Sequence, residues 1–135
     1  MKVIASDADI NTLGGTLNNG WYLISPNVTI THACMFIVQG NVNLILGKNS
    51  SLTVSGVANS TGINVSDANR LSIYAQSTDT NGMGKLVANS ADYGAGIGGD
   101  VYGNGGAVYN ATIRISNKTN IYKRQQIILF FYPGY

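Results

Sequence analysis

The sequence has no glutamate, one cysteine, one histidine and two prolines among 135 residues, and only 10% of it is charged. Each shortage excludes something. A lone cysteine, Cys34, cannot build an internal disulfide framework, and such a thiol is expected as a small apolar side chain in the core. A formal net charge of +2 is too weak to steer the chain over distance, so neither nucleic acid nor an anionic lipid surface is expected as a partner. The longest apolar run, Ile127 to Tyr132, is far too short to cross a bilayer as a helix, and no membrane span is expected. Met1–Asp9 lacks the apolar stretch of a signal peptide. An export signal is therefore expected to have been removed, or the chain to begin inside a larger protein.

What abounds is Asn, Ser, Thr, Val, Ile and Gly, a mixture that suits short strands joined by tight turns and predicts little helix. Runs of β character recur at Asn27–Thr31, Phe36–Val38, Val42–Leu46, Leu52–Val54, Ile63–Val65, Leu71–Tyr74, Leu86–Ala88 and Thr112–Ile115. Most alternate apolar with polar residues, the period of a strand with one buried face. Gly40, Gly47, Gly56, Gly62, Gly82 and Gly84 punctuate them. Two apolar series, Ile30–Leu52–Ile73 and Leu44–Val65–Leu86–Val108, share a spacing of 21–22 residues. Such a period predicts an all-β solenoid in which equivalent side chains of successive coils stack in one continuous core. The turn dipeptides Asn19-Gly20 and Asn81-Gly82 keep a hairpin-built β-sandwich open as the rival.

Taken in order, Gly20-Trp21-Tyr22-Leu23-Ile24, Val42-Asn43-Leu44-Ile45-Leu46, Gly62-Ile63-Asn64-Val65, Leu71-Ser72-Ile73-Tyr74-Ala75-Gln76-Ser77 and Ala95-Gly96-Ile97-Gly98-Gly99 resemble the repetitive β-helical, adhesin-like or carbohydrate-binding-type modules of bacterial cell-surface proteins. The resemblance covers Trp21 to Gly106. It implies a right-handed parallel β-helix, an extracellular or cell-surface location and a glycan or host-surface ligand. The C-terminus departs from the family, which continues with further glycine-rich coils, whereas this chain turns into Lys118–Tyr135. The expected organisation is an N-terminal lead-in or cap at 1–20, a β-helical repeat domain at 21–116 and an atypical C-terminal cap or interface strand at 117–135. The apolar segment 127–132 is expected either to cap the stack or to mediate self-association.

Candidate chemistry is thin. Gly94 to Gly99 spells Gly-x-Gly-x-x-Gly, but the residues after Gly99 make a poor helix start, so a dinucleotide loop is not expected. His32 and Cys34 fall two apart, which on a strand would place them on one face, yet a structural metal site needs more ligands than two. Asp67, Asp79, Asp92 and Asp100 form no close pair and suit turns. No cofactor is expected, calcium at Asp100 being the weak exception. Aromatic rings are the better candidates, because a flat ring covers the apolar face of a sugar. Trp21, Tyr22, Tyr74, Tyr93, Tyr102 and Tyr109 are available, and the expected ligand-binding set is Trp21, Tyr74, Tyr93, Asp100 and Tyr102. The resemblance, together with the available aromatic rings, thus implies a non-catalytic glycan- or host-surface-binding module. The alternatives are a structural spacer and a fragment of a polysaccharide-degrading β-helix enzyme.

Overall fold

The alternating runs form strands. In the computed structural model, which describes residues 1–57, 60–76, 82–90, 95–99, 107–110, 113–121 and 124–131, the strands are β1 (Lys2–Ile4), β2 (Thr16–Leu17), β3 (Gly20–Ile24), β4 (Thr29–His32), β5 (Phe36–Val38), β6 (Asn41–Leu46) and β7 (Ser51–Ser55). They continue as β8 (Ile63–Asn64), β9 (Arg70–Ala75), β10 (Lys85–Asn89), β11 (Ile97–Gly98), β12 (Ala107–Asn110), β13 (Ile113–Ile121) and β14 (Arg124–Phe131). One short helix, α1 (Asp7–Thr12), lies between β1 and β2. The all-β expectation therefore stands among the described residues.

Three sheets hold these strands: an A sheet in the order β1-β3-β6-β9-β12, a B sheet of β2, β5, β8 and β11, and a C sheet in the order β4-β7-β10-β14-β13. From β3 to β12 the chain visits A, C and B in fixed rotation, and neighbouring strands from β1 to β12 pair in parallel. Parallel pairing without an intervening helix requires the chain to travel through the other two sheets before it returns. Corresponding side chains then stack: Ile30 on Leu52 on Leu86, Tyr22 on Leu44 on Ile73, and Phe36 on Ile63 on Ile97. Alternation directs Val42, Leu44 and Leu46 of β6, and Leu52 and Val54 of β7, into one apolar cluster. Each such side chain contributes roughly 1.5–3 kcal/mol by leaving water.

The expected columns are only partly those observed. Ile30 does lie against Leu52, but Leu86 comes next rather than Ile73, which belongs to the A sheet beside Leu44. Val108 pairs with Leu71, and Val65 lies just beyond β8. The winding grows along the chain: Gly20 pairs with Val42, 22 residues on, Asn41 with Arg70, 29 on, and Arg70 with Ala107, 37 on. The strands stay short while the corners lengthen, from residues 33–35 between β4 and β5 to residues 56–62 between β7 and β8.

Corners and ends have their own logic. Asn27 and Asn49 occupy the same corner in successive windings with φ of 60° and 57°, and the Asn49 amide donates to Asn27 Oδ1 at 3.2 Å. Asn tolerates this left-handed conformation better than most L-residues because its short polar side chain bonds locally. Gly62 is required by closeness: a Cβ there would lie 2.7 Å from the carbonyl oxygen of Gly96 in the next winding. At the first end α1 stands where the rotation would otherwise place a C-sheet strand, contacts β4, and buries Ile10. Its first turn is held by Asp9 Oδ2, which accepts from the backbone N–H of Ala5 at 2.8 Å and of Ser6 at 3.2 Å. At the other end β14 runs antiparallel to β10, and β13 antiparallel to β14. Residues 127–130 are therefore flanked by strands on both sides, and at this end the edge of the C sheet is β13.

Candidate functional site

The outward face of the A sheet gathers the side chains that the core does not use. On β3 the parity is set from inside, where Tyr22 and Ile24 are buried and the Tyr22 hydroxyl donates to the carbonyl oxygen of Asn18 at 2.9 Å. Trp21 and Leu23 must then face out. The same parity turns Asn41, Asn43 and Ile45 outward on β6, and Arg70, Ser72 and Tyr74 on β9. Register converts these positions into rows across the strands. One row is Val3, Leu23, Ile45 and Tyr74; the next is Trp21, Asn43 and Ser72; Asn41 and Arg70 form a third.

Trp21 and Tyr74 come together across β6, although two windings separate them. Their ring centroids are 5.3 Å apart with 27° between the planes, an offset stack. Each ring keeps one face turned away from the other, and Trp21 is still 48% exposed. Val3, at the β1 end of the apolar row, is 54% exposed. Corners hold the polar border in place: Asn19 Oδ1 accepts from Asn41 N at 2.6 Å, and Asn69 Oδ1 from Gly40 N at 2.8 Å. The result is an outward apolar row with amide and hydroxyl groups along one side.

Of the expected ligand-binding residues, the structure thus joins Trp21 and Tyr74. Tyr93, Asp100 and Tyr102 lie outside the described residues, as do Asp79 and Asp92. Tyr22 is buried and unavailable as a ligand platform. Asp67 sits exposed in a turn with φ of 54°. In the Gly94–Gly99 stretch Ile97 and Gly98 form a strand paired with β8. Among the described residues no group of three or more His, Cys or Asp side chains is placed to hold a metal ion, and no helix is long and apolar enough to cross a membrane.

Cys34 corrects an expectation. It is exposed, because β4 ends at His32 and the next residues form the corner to β5, where strand parity no longer applies. His32 and Cys34 are consequently not on one face of a strand. Sequence reasoning also missed the partner of His32, which lies in the core row with Val54 and Ala88 at 3% exposure. Its Nδ1 meets Asp7 Oδ1 of α1 at 2.6 Å, and its ring packs edge-on to Phe36. Nε2 is buried with no hydrogen-bond partner among the described residues. This pair links α1 to the C sheet.

Comparison with family models, with curated proteins and with solved structures found no match.

Proposed function

We propose that the chain is a non-catalytic glycan-binding module of a bacterial surface or secreted protein, built as a right-handed parallel β-helix, with the outward face of the A sheet as its binding surface. The observation that carries this reading is the exposed Trp21–Tyr74 stack beside Asn43 and Ser72. Sugars present an apolar C–H face and a rim of hydroxyls, which matches aromatic carbon flanked by amides and a hydroxyl. The A–C–B rotation of parallel strands and the ordered motifs from Trp21 to Gly99 support the β-helical part of the proposal. The pairing of β14 with β10 supports a capping role for the segment 117–135.

A panel of immobilised neutral and acidic glycans, followed by calorimetric titration of the best ligand, tests the reading. Trp21→Ala is expected to cost about 2 kcal/mol, roughly thirtyfold in affinity, as buried aromatic anchors do. Unchanged affinity in Trp21→Ala, or no binding anywhere in the panel, leaves the spacer role as the better description.

A further inference from the structure

Resting on that reading, we infer that the ligand is an extended, unbranched polysaccharide, bound through its interior and lying across the strands, parallel to the direction in which the windings stack. Val3, Leu23, Ile45 and Tyr74 are in register on four consecutive strands, β1, β3, β6 and β9, and the Trp21 ring closes onto Tyr74 over β6. On β6 and β9 the apolar character does not continue along the strand, whereas on β3 Trp21 follows Leu23 on the same face. Ile45 is followed on the same face by Asn43 and Asn41, and Tyr74 by Ser72 and Arg70. Among the described residues the apolar row thus runs over four strands, is one residue wide on β6 and β9, is widened on β3 by Trp21, and has Asn43 and Ser72 along the side on which Trp21 lies. Strands lie about 4.8 Å apart, so three spacings give it a length of about 14 Å.

That shape discriminates among ligands. A terminal sugar is held in an enclosed pocket that reads its end, whereas this strip lies on an open sheet face with its most exposed members, Trp21 and Val3, 48% and 54% exposed. A purely aliphatic ligand has no use for the amide and hydroxyl row of Asn43 and Ser72. A chain of pyranoses presents both features along its length: apolar ring faces for the strip and hydroxyls for the border. No outward-facing described residue of these rows is a carboxylate.

The test uses the intact chain and soluble linear oligosaccharides, from monosaccharide to hexasaccharide, of whichever polymer binds in a panel of cellulose-, xylan-, mannan- and chitin-derived chains and their acidic counterparts. Affinity is expected to rise at least about tenfold from monosaccharide to tetrasaccharide and then level off. Chemical reduction of the terminal sugar of the hexasaccharide should change it less than about twofold. Val3→Ser, at the far end of the strip on an exposed position, should weaken the tetrasaccharide and leave the disaccharide unchanged, while Trp21→Ala weakens both. Thermal midpoints of the two variants confirm that they remain folded. Equal affinity for mono- and tetrasaccharide, loss of binding on reduction, or a Val3→Ser variant that binds all lengths like the parent overturns this inference while leaving a glycan-binding role intact. Binding by no member of the panel overturns both.

Discussion

Leu44→Ala probes whether the windings share one core. Leu44 is fully buried, with Tyr22 in register on one side and Ile73 on the other, so the side chain is enclosed by the windings before and after its own. Truncation removes transfer free energy and leaves a cavity that two flanking strands, each tied into a parallel ladder, are poorly able to collapse. Leu→Ala substitutions cost about 2–5 kcal/mol, and a site enclosed from both sides belongs in the upper half, about 4 kcal/mol. The control is the next residue on the same strand, Ile45, which faces outward and is only partly buried. Ile45→Ala changes a β-branched residue to alanine on a sheet surface and should cost about 1 kcal/mol. In urea, with a slope near 2 kcal/mol per molar, the midpoints should fall by about 2 M and about 0.5 M respectively. Equal shifts for the two neighbours, or a Leu44→Ala shift below that of Ile45→Ala, would refute the assignment of inside and outside on β6 and with it the stacked core.

The ends and corners of the stack supply three more expected outcomes. Asn49→Ala, at φ of 57°, should cost about 1–2 kcal/mol while Asn49→Gly stays near neutral, read as denaturation midpoints; similar midpoints for the two variants would mean that the left-handed corner is not required. Asp7→Ala leaves His32 Nδ1 buried without its partner and should destabilise by about 1–3 kcal/mol, with amide exchange accelerating first in α1; unchanged protection of α1 would mean the pair does not fasten it. Cys34, exposed in its corner, should react stoichiometrically with a thiol reagent in the native state at a rate near that of the unfolded chain, and protection until unfolding would place it in the core after all.

Much of the architecture is legible because alternation is a local property. At β6 and β7 the apolar residues foreseen as core are the buried ones, since on a strand parity alone decides the face. Which strand lies above which is not local. A single period assumes corners of constant length, an assumption that holds between β3 and β6 and between β4 and β7, then fails as the later corners grow. The series through Leu52 and Ile73 therefore joined residues of different sheets. Trp21 and Tyr74 could be nominated from residue type, but their contact depends on the 22- and 29-residue steps of two windings and has no sequence signature. Asp7 and His32 are hidden for a different reason: one carboxylate at the start of a six-residue helix says nothing about which buried imidazole it will meet.

The lengthening of the corners also bears on where function can reside. Loops usually carry binding residues because a rigid scaffold leaves them free to vary. In this chain the corner length changes from winding to winding, while Val3, Leu23, Ile45 and Tyr74 keep their register across four strands. A strip composed across strands is indifferent to how many residues each corner contains, because ladder hydrogen bonds rather than loop lengths set the spacing between its members. Insertions in the corners can then accumulate without disturbing the surface, whereas a one-residue slip of β6 would turn Asn43 and Ile45 inward and Leu44 outward, destroying core and strip together. Core packing and the outward strip therefore depend on the same register, so selection for a stable stack preserves the geometry of the strip.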